Sequence, residues 1–287
     1  MPPTHTISRY NDKAGIREHY DRVSPYYREL WGEHLHHGYW IRGDETKQQA
    51  QVQLIEHLAR AAGIRPGAKL LDVGCGFGAS SIYLAEKYRV EATGITISPV
   101  QVDLASQAGA AAGARASFFL MDAEEMAFPN KNFDVIWSVE SISHYPEKGR
   151  FFGAAADVLA AGGTMAIIDW FKKGNLDGRT REKFIRPIER GMLVELDTMT
   201  DYVSLLESRG LHVTRQEVLN RHCAKTWDLC LEIIRPRALW DLAAEMGPAF
   251  LDFLKAFRAM KAGFASGNFV YGLLIARRQN DECRIEE

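Results

Sequence analysis

The chain has 287 residues, 46% of them hydrophobic and 25% charged, with a formal net charge of −2. That length suits one large domain, or a domain with a sizeable insert, and supplies enough apolar residues for a full core. The near-neutral sum argues against electrostatic capture of nucleic acid, which needs a basic face.

In chain order, the opening MPPTHTISRYNDK is polar and lacks the apolar stretch of a signal peptide. Residues 1–63 read as helical. The clearest part is Thr46–Ala62, with Val52, Ile55, Leu58 and Ala59 at helical spacing and Gly63 as a stop. The pattern then changes. Lys69–Val73 predicts a short strand, followed by a glycine-rich loop and a helix over Ser80–Tyr88. Val90–Ile97 predicts the next strand and Pro99–Ala112 the next helix, its Pro suited to the first turn. Ser117–Met121 and Phe133–Val139 predict strands, and Glu147–Ala161 a helix closed by Gly162 and Gly163. Thr164–Trp170 is a strand, Thr200–Arg209 a helix ending at Gly210, Leu211–Leu219 a strand, and Phe269–Arg277 the last strand. Strands alternating with helices predict an α/β sheet with crossover helices on both faces.

Two stretches break the alternation, Lys172–Asp197 and Lys225–Gly267. The second carries Trp227, Trp240, Met246 and Met260, and Phe250, Phe253, Leu254 and Phe257 share one helical face. Such residues either form a lid over an apolar pocket or fasten the insert to the sheet. The expected division is a helical cap over 1–63, a cofactor-binding core over 64–171, a helical cap segment over 172–199, a core helix and strand over 200–220, a helical lid insert over 225–267, and a last core strand over 268–278. No apolar run approaches the about 20 residues of a membrane span. Cys75, Cys223, Cys230 and Cys283 have neither zinc-ribbon nor CxxC spacing, which predicts free thiols, no metal and a cytoplasmic setting.

The loop after the first strand reads LLDVGCGFGAS, with Gly74, Gly76 and Gly78. Glycines where a strand turns into a helix let the backbone approach a ligand, and the helix offers free N–H groups to an anion. The spacing is GxGxG rather than the dinucleotide GxGxxG, and Asp72 suits an ammonium or hydroxyl better than a pyrophosphate. A dinucleotide site carries an acid about 20 residues later to hold the ribose. Here that strand tip reads Gly94-Ile95-Thr96-Ile97-Ser98, with no carboxylate. Either the loop is a decoy or something else holds the sugar.

DVGCGFG, together with FDVIWSVESISHYPEKGRFFGAAADVLAAGGTMAIIDW, resembles the class I S-adenosylmethionine-dependent methyltransferases. Gly94, Ile95, Thr96, Ile97, Ser98 and Gln101 match the strand-tip pattern of the subgroup that includes tocopherol methyltransferases and cyclopropane fatty acid synthases. HYDRVSPYYRELWGEHLHHGYW resembles the N-terminal segment of the tocopherol enzymes. The resemblance implies a Rossmann-like fold with a mostly parallel seven-stranded sheet and S-adenosylmethionine as cofactor. It implies ribose contacts from Thr96 and Gln101 beside Ile97, and cofactor contacts from the loop of Asp72, Gly74, Cys75 and Gly76. Asp122, Ala123 and Glu124 would meet the adenine, and Ser138 would lie beneath the methionine. His36, His37 and Gly38 would sit near the carboxylate end, and Tyr20 near the methyl. A metal on His34, His36 and His37 is not expected, since no carboxylate or Cys has suitable spacing.

A sulfonium methyl is already electrophilic, so the protein must chiefly align the nucleophile and exclude water. A base is needed only for a nucleophile whose proton has a high pKa, such as a phenol near about 10. The resemblance implies His144 as base with Asp169 holding its ring, both at carboxyl ends of neighbouring strands. His144 could equally be structural, in a reaction without a base. Glu140 is a second candidate, near the sulfonium or an amine nucleophile. Arg186, Arg190, Arg235 and Arg237 could bind an acid group. The reading is a small-molecule methyltransferase acting on a lipophilic phenol, quinol, amine or carbon centre by in-line displacement. The alternatives are lipid cyclopropanation, or a cyclase that keeps the cofactor fold. No nucleic-acid partner and no stable membrane insertion are expected, with a monomer or homodimer as the assembly.

Overall fold

The computed structural model describes residues 11–129 and 132–279, so residues 1–10 of the expected cap and Cys283 lie outside the described residues. The chain opens with α1 (Lys13–Leu30), whose N-cap Asp12 accepts from the Gly15 amide, and α2 (Lys47–Ala62). Thr46 and Gln49 form a reciprocal capping box at the start of α2, and Gly63 ends it in a left-handed conformation. Then come β1 (Lys69–Val73), α3 (Ala79–Tyr88), β2 (Glu91–Thr96), α4 (Pro99–Ala112), β3 (Ala116–Leu120) and β4 (Phe133–Val139). A 3-10 turn over Ile142–His144 leads to α5 (Lys148–Val158) and β5 (Leu159–Lys172). The chain continues through α6 (Gly178–Thr180), a π-helical stretch over Arg181–Ile185, α7 (Arg186–Met192), α8 (Met199–Glu207) and β6 (Leu211–Val218). It ends with α9 (Asn220–Cys223), α10 (Lys225–Ile233), α11 (Arg237–Met246), α12 (Pro248–Ser266) and β7 (Phe269–Arg278).

The seven strands lie in the order β3-β2-β1-β4-β5-β7-β6. All pairs are parallel except those of β7, which runs antiparallel to β5 and β6. Strand alternation sorts the core into two layers. Trp137, Ala166 and Ile168 face the layer that also holds Leu54, Ile55 and Leu58 of α2 and Trp227, Leu254 and Met260 of the insert. Ile136, Met165 and Ile167 face the other layer, with Phe151, Phe152, Tyr202 and Leu206. No described helix is long and apolar enough to cross a membrane.

The boundary between the fifth helix and the fifth strand differs from the sequence expectation. The fifth helix stops at Val158 instead of Ala161, and Leu159 is already extended, its N–H still donating to Ala155. Arg278 explains this early end: its guanidinium donates to the Ala156 and Leu159 carbonyls, satisfying acceptors that a longer helix would use. The ladder then jumps from Phe133–Leu159 to Val135–Thr164, with Gly162 at φ 71. The stretch after β5 is helical, as expected of a cap segment, and the long insert is three helices broken at Pro236 and Gly247.

Gly94 of β2 stands opposite Phe118 of β3, and the Phe118 ring lies over it. A Cβ at Gly94 would come within 2.5 Å of that ring, and one at Gly78 would meet it equally closely. The glycine loop and the strand beside it are thus shaped around one aromatic side chain.

Candidate functional site

A cavity of about 280 Å³ opens at the carboxyl ends of the parallel strands, where open α/β sheets place their ligands. Its floor is the glycine loop. Gly74 and Cys75 both donate their N–H groups to the Ile95 carbonyl, which fastens the loop to β2. Gly74 sits at φ 77, and a Cβ there would overlap Ser141 at 2.3 Å, so only glycine fits. Asp72 is buried beside the loop and accepts from Ser81 Oγ at 2.6 Å. Burial pushes its carboxyl up to about 7, against the pull of that hydrogen bond.

At the tip of β2, Thr96 and Gln101 are paired and buried. Thr96 Oγ1 donates to Gln101 Oε1 at 2.7 Å, and among the described residues the amide nitrogen of Gln101 has no partner. Both side chains line the cavity with Ile97. Two amide donors left over, beside a hydroxyl oxygen, suit a neutral diol such as a ribose. Ser98 caps α4, accepting from the Gln101 amide, and its hydroxyl donates to Asp21 of α1 at 2.5 Å.

Past β3, Asp122, Ala123 and Glu124 also line the cavity. Asp122 Oδ1 accepts from the Glu124 amide at 2.9 Å. The Lys13 ammonium, at the start of α1, lies 2.5 Å from Asp122 Oδ2 and 2.5 Å from Glu124 Oε2. Burial works against the charge on Lys13, but its two carboxylate partners outweigh it and raise its pKa.

Glu140 follows β4 in a left-handed conformation at φ 54. One carboxylate oxygen takes three donors: the His37 amide at 2.7 Å, His37 Nδ1 at 2.9 Å and the Tyr271 hydroxyl at 2.6 Å. Burial raises the Glu140 carboxyl, but the His37 and Tyr271 contacts outweigh it, and its pKa falls below the usual range. His37 stacks on Tyr271, ring centroids 4.3 Å apart, and meets Trp227 edge-on at 4.5 Å. His36 donates from Nδ1 to the His37 carbonyl at 2.8 Å, which leaves Nε2 as a buried acceptor without a partner among the described residues. Burial lowers the pKa of His36 and takes that of His34 down to about 3.

His144 also lines the cavity. Its Nδ1 lies 3.1 Å from the Leu193 carbonyl, which can only accept, so Nδ1 carries the proton. Its Nε2 then accepts from the Tyr20 hydroxyl at 3.0 Å. Burial lowers its pKa to about 4, so the ring is neutral at pH 7. Leu193 presents this carbonyl from a left-handed residue that ends α7.

Asp169 does not hold the His144 ring, contrary to the expectation. It is fully buried, outside the cavity wall, and accepts from the Ser143 amide at 2.8 Å, the Trp170 amide at 2.8 Å and the Tyr202 hydroxyl at 3.1 Å. It fixes the backbone of the turn that carries His144 instead. Burial raises its pKa to about 6, against these three donors. Two further expectations change. Ser138 bonds to Ser141 inside the sheet, and the Gly38 amide donates to Thr226; neither residue lines the cavity. Gly38 is instead a packing requirement, since a Cβ there would come within 2.7 Å of Trp40 and Ala50.

The outer half of the cavity is apolar. Ile16, Tyr20, Val23 and Tyr27 of α1 face Trp227, Phe253 and other residues of the insert. Among the described residues its wall carries no Arg. Arg190 pairs with Asp252, Arg186 with Glu182 and Glu189, and Arg237 with Asp241, all away from the cavity; Arg235 is not in its wall either. The charged groups that do line it are acidic apart from Lys13 and the histidines. Sequence reasoning missed Lys13, Leu193 and Tyr271. All three lie more than a helix away from their partners along the chain and carry no local motif. Among the described residues, no trio of His, Cys, Asp or Glu is arranged to hold a metal ion.

Comparison with known proteins gives the family and supports the fold. Residues 7–264 match the family model described as mycolic acid cyclopropane synthetase. The chloroplastic tocopherol O-methyltransferase of Arabidopsis thaliana is 30% identical, over 93% of this chain and 82% of its own. The 27-O-demethylrifamycin SV methyltransferase of Amycolatopsis mediterranei (strain S699) is 32% identical, over 84% of this chain and 91% of its own. Among solved structures, the cyclase SpnF superposes with a TM-score of 0.82 at 24% identity, covering 96% of this chain and 98% of its own. The chain therefore belongs to the mycolic acid cyclopropane synthetase family and is a class I S-adenosylmethionine-dependent methyltransferase.

Proposed function

We propose that this enzyme methylates a hydroxyl on an uncharged, lipophilic small molecule, with His144 as the proton acceptor. The observation that carries the reading is the fixed state of His144: neutral, its Nδ1–H held by the Leu193 carbonyl, its Nε2 lone pair turned to the cavity. S-adenosylmethionine, when bound, supplies an electrophilic methyl. Asp72, the loop of Gly74 to Gly76, Thr96, Ile97, Gln101, Asp122, Ala123 and Glu124 would hold it, with His36 and His37 at its amino-acid end. The unpaired Gln101 amide and the unpaired His36 Nε2 fit such a ligand, since each is a buried polar group with capacity to spare.

The chain's own groups then divide the work. The acceptor hydroxyl takes the place of the Tyr20 hydroxyl on His144 Nε2. A base with a pKa of about 4 is weak toward a resting phenol. It suffices because the acceptor oxygen becomes strongly acidic as its new bond forms, so the proton need move only late. Glu140, held ionised by His37 and Tyr271, stabilises positive charge in the middle of the cavity. Asp169 keeps the Ser143–His144 backbone in place, and the apolar wall excludes water.

The acceptor class follows from the wall. Among the described residues of the wall, a carboxylate or phosphate would meet acidic groups and no free cation, so an anionic lipid is disfavoured. Oxygen methylation is also named in two relatives, tocopherol O-methyltransferase and 27-O-demethylrifamycin SV methyltransferase. We take residues 64–171 as the donor-binding core and residues 225–267 as the acceptor lid. The buried free thiols of Cys75, Cys223 and Cys230 suit a cytoplasmic setting. Labelled S-adenosylmethionine offered with an alkyl-substituted phenol, a long-chain amine and an anionic phospholipid tests the reading. Label is expected in the phenol. Label in the amine or the phospholipid alone would sink it.

A further inference from the structure

We propose that Lys13 is a retention latch for the cofactor: it ties α1 across the adenine end of the cleft, so the cofactor enters before this helix closes and leaves only after it opens, while the acceptor exchanges through a separate mouth. The proposal rests on the cofactor cleft described above.

Three residues of α1 fasten it to the ends of three strands, β3 and β2 on one side of β1 and β4 on the other. Lys13 reaches Asp122 and Glu124 beyond β3, Asp21 reaches Ser98 beyond β2, and Tyr20 reaches His144 beyond β4. Lys13, Tyr20 and Asp21 are spaced by seven and eight residues, so they share one face of α1. The helix therefore lies along the cleft from its adenine end to the place where the methyl is delivered. Glu124 is almost wholly enclosed, its side chain 1% exposed, and its other oxygen accepts from the Glu147 amide. An enclosed carboxylate needs a counter-charge, and Lys13 supplies it from the lid rather than from the sheet. Removing α1 from the cleft would strand that charge, so the helix and the adenine end are coupled.

The second mouth lies at the other end of α1. Tyr26 and Leu30, on its last turns, and Leu242 of α11 all line the cavity and are 51%, 49% and 40% exposed. An apolar rim there lets a lipophilic acceptor pass without disturbing Lys13. Product can leave while the spent cofactor stays beneath the latch.

The test uses S-adenosylhomocysteine and the full chain, and needs no acceptor. Its dissociation is followed by tryptophan fluorescence in stopped flow, since Trp31, Trp170 and Trp227 line the cavity. Lys13→Met is expected to raise the dissociation rate at least about tenfold, because two charge-assisted contacts are lost. Lys13→Arg is expected to restore slow release. Hydrogen exchange without ligand reads the latch directly: amides of α1 should lose protection in Lys13→Met and keep it in Lys13→Arg. Asp122→Asn separates the two levels. If it weakens S-adenosylhomocysteine binding while Lys13→Met leaves release and α1 protection unchanged, the latch is wrong and the cleft stands. If wild-type protein binds S-adenosylhomocysteine and Asp122→Asn leaves affinity and release untouched, the cleft assignment falls, and the latch with it.

Discussion

Replacing Gly94 by alanine tests whether the cofactor loop is shaped by Phe118. Gly94 has an ordinary strand conformation, so the substitution carries no penalty from φ. Backbone stiffening alone would stabilise a strand by roughly 0.5–1 kcal/mol. Against that, the new methyl would lie 2.5 Å from Phe118 Cδ1 and 2.9 Å from Cys75 Sγ, well inside contact distance. Neither neighbour can swing away freely, because Cys75, Ala105 and Phe118 form a small packed cluster of their own. Overpacking of this kind costs about 1–3 kcal/mol, so a net loss of about 1–2 kcal/mol is expected. Urea unfolding followed by tryptophan fluorescence measures it. Phe118→Leu alone should cost a similar amount by leaving a void, yet the double variant should be more stable than the sum predicts, by about 1 kcal/mol. Since Cys75 belongs to the glycine loop, the single Gly94→Ala variant should also bind S-adenosylhomocysteine more weakly. A variant as stable as wild type, or strict additivity with Phe118→Leu, would refute the reasoning.

Three other outcomes are expected. The acid limb of kcat/KM should lie near pH 4 rather than near the usual 6.5, because His144 stays neutral down to about 4; His144→Gln should lower kcat about 10²- to 10⁴-fold, and unchanged turnover would remove the base. Affinity for S-adenosylhomocysteine should rise as pH climbs through about 7, where Asp72 ionises and can meet an ammonium; calorimetry between pH 6 and 8 should find this dependence gone in Asp72→Asn. The same shift acts oppositely on stability, since the folded Asp72 holds a proton that the unfolded chain releases near 3.8, so its contribution is complete below that pH and lost as pH rises through about 7. Gln101→Ala should weaken S-adenosylhomocysteine binding about tenfold through lost hydrogen bonds of about 1 kcal/mol each; equal affinity would deny it the ribose.

The parts of the site that sit within a few residues of one another were legible in the sequence. The glycine loop is one turn, and Thr96 and Gln101 are separated only by a capped helix start, so strand and helix geometry alone brings them together. The partners of His144 were not legible. Leu193 is 49 residues away and Tyr20 is 124 away, on segments whose docking depends on tertiary packing. The mistaken pairing of His144 with Asp169 has the same origin. Adjacent strand ends place the two residues close, but the 3-10 turn aims the ring toward α7 and leaves Asp169 facing the backbone of Ser143. The arginines of the two cap stretches could not be assigned from sequence either, because their carboxylate partners on the same helices, or on α12, decide where they point. The end of α5 was set by Arg278, more than a hundred residues downstream.

The acceptor for the His144 Nδ1 proton is a main-chain oxygen. Every amino acid possesses one, so no single exchange at position 193 removes the oxygen itself, and what that position must keep is only a backbone able to hold the left-handed turn at φ 54. A carboxylate in that role would be lost in one mutation and would charge the ring it holds. The arrangement makes the proton-accepting state of this enzyme a property of the chain's path, inherited with the fold rather than guarded residue by residue.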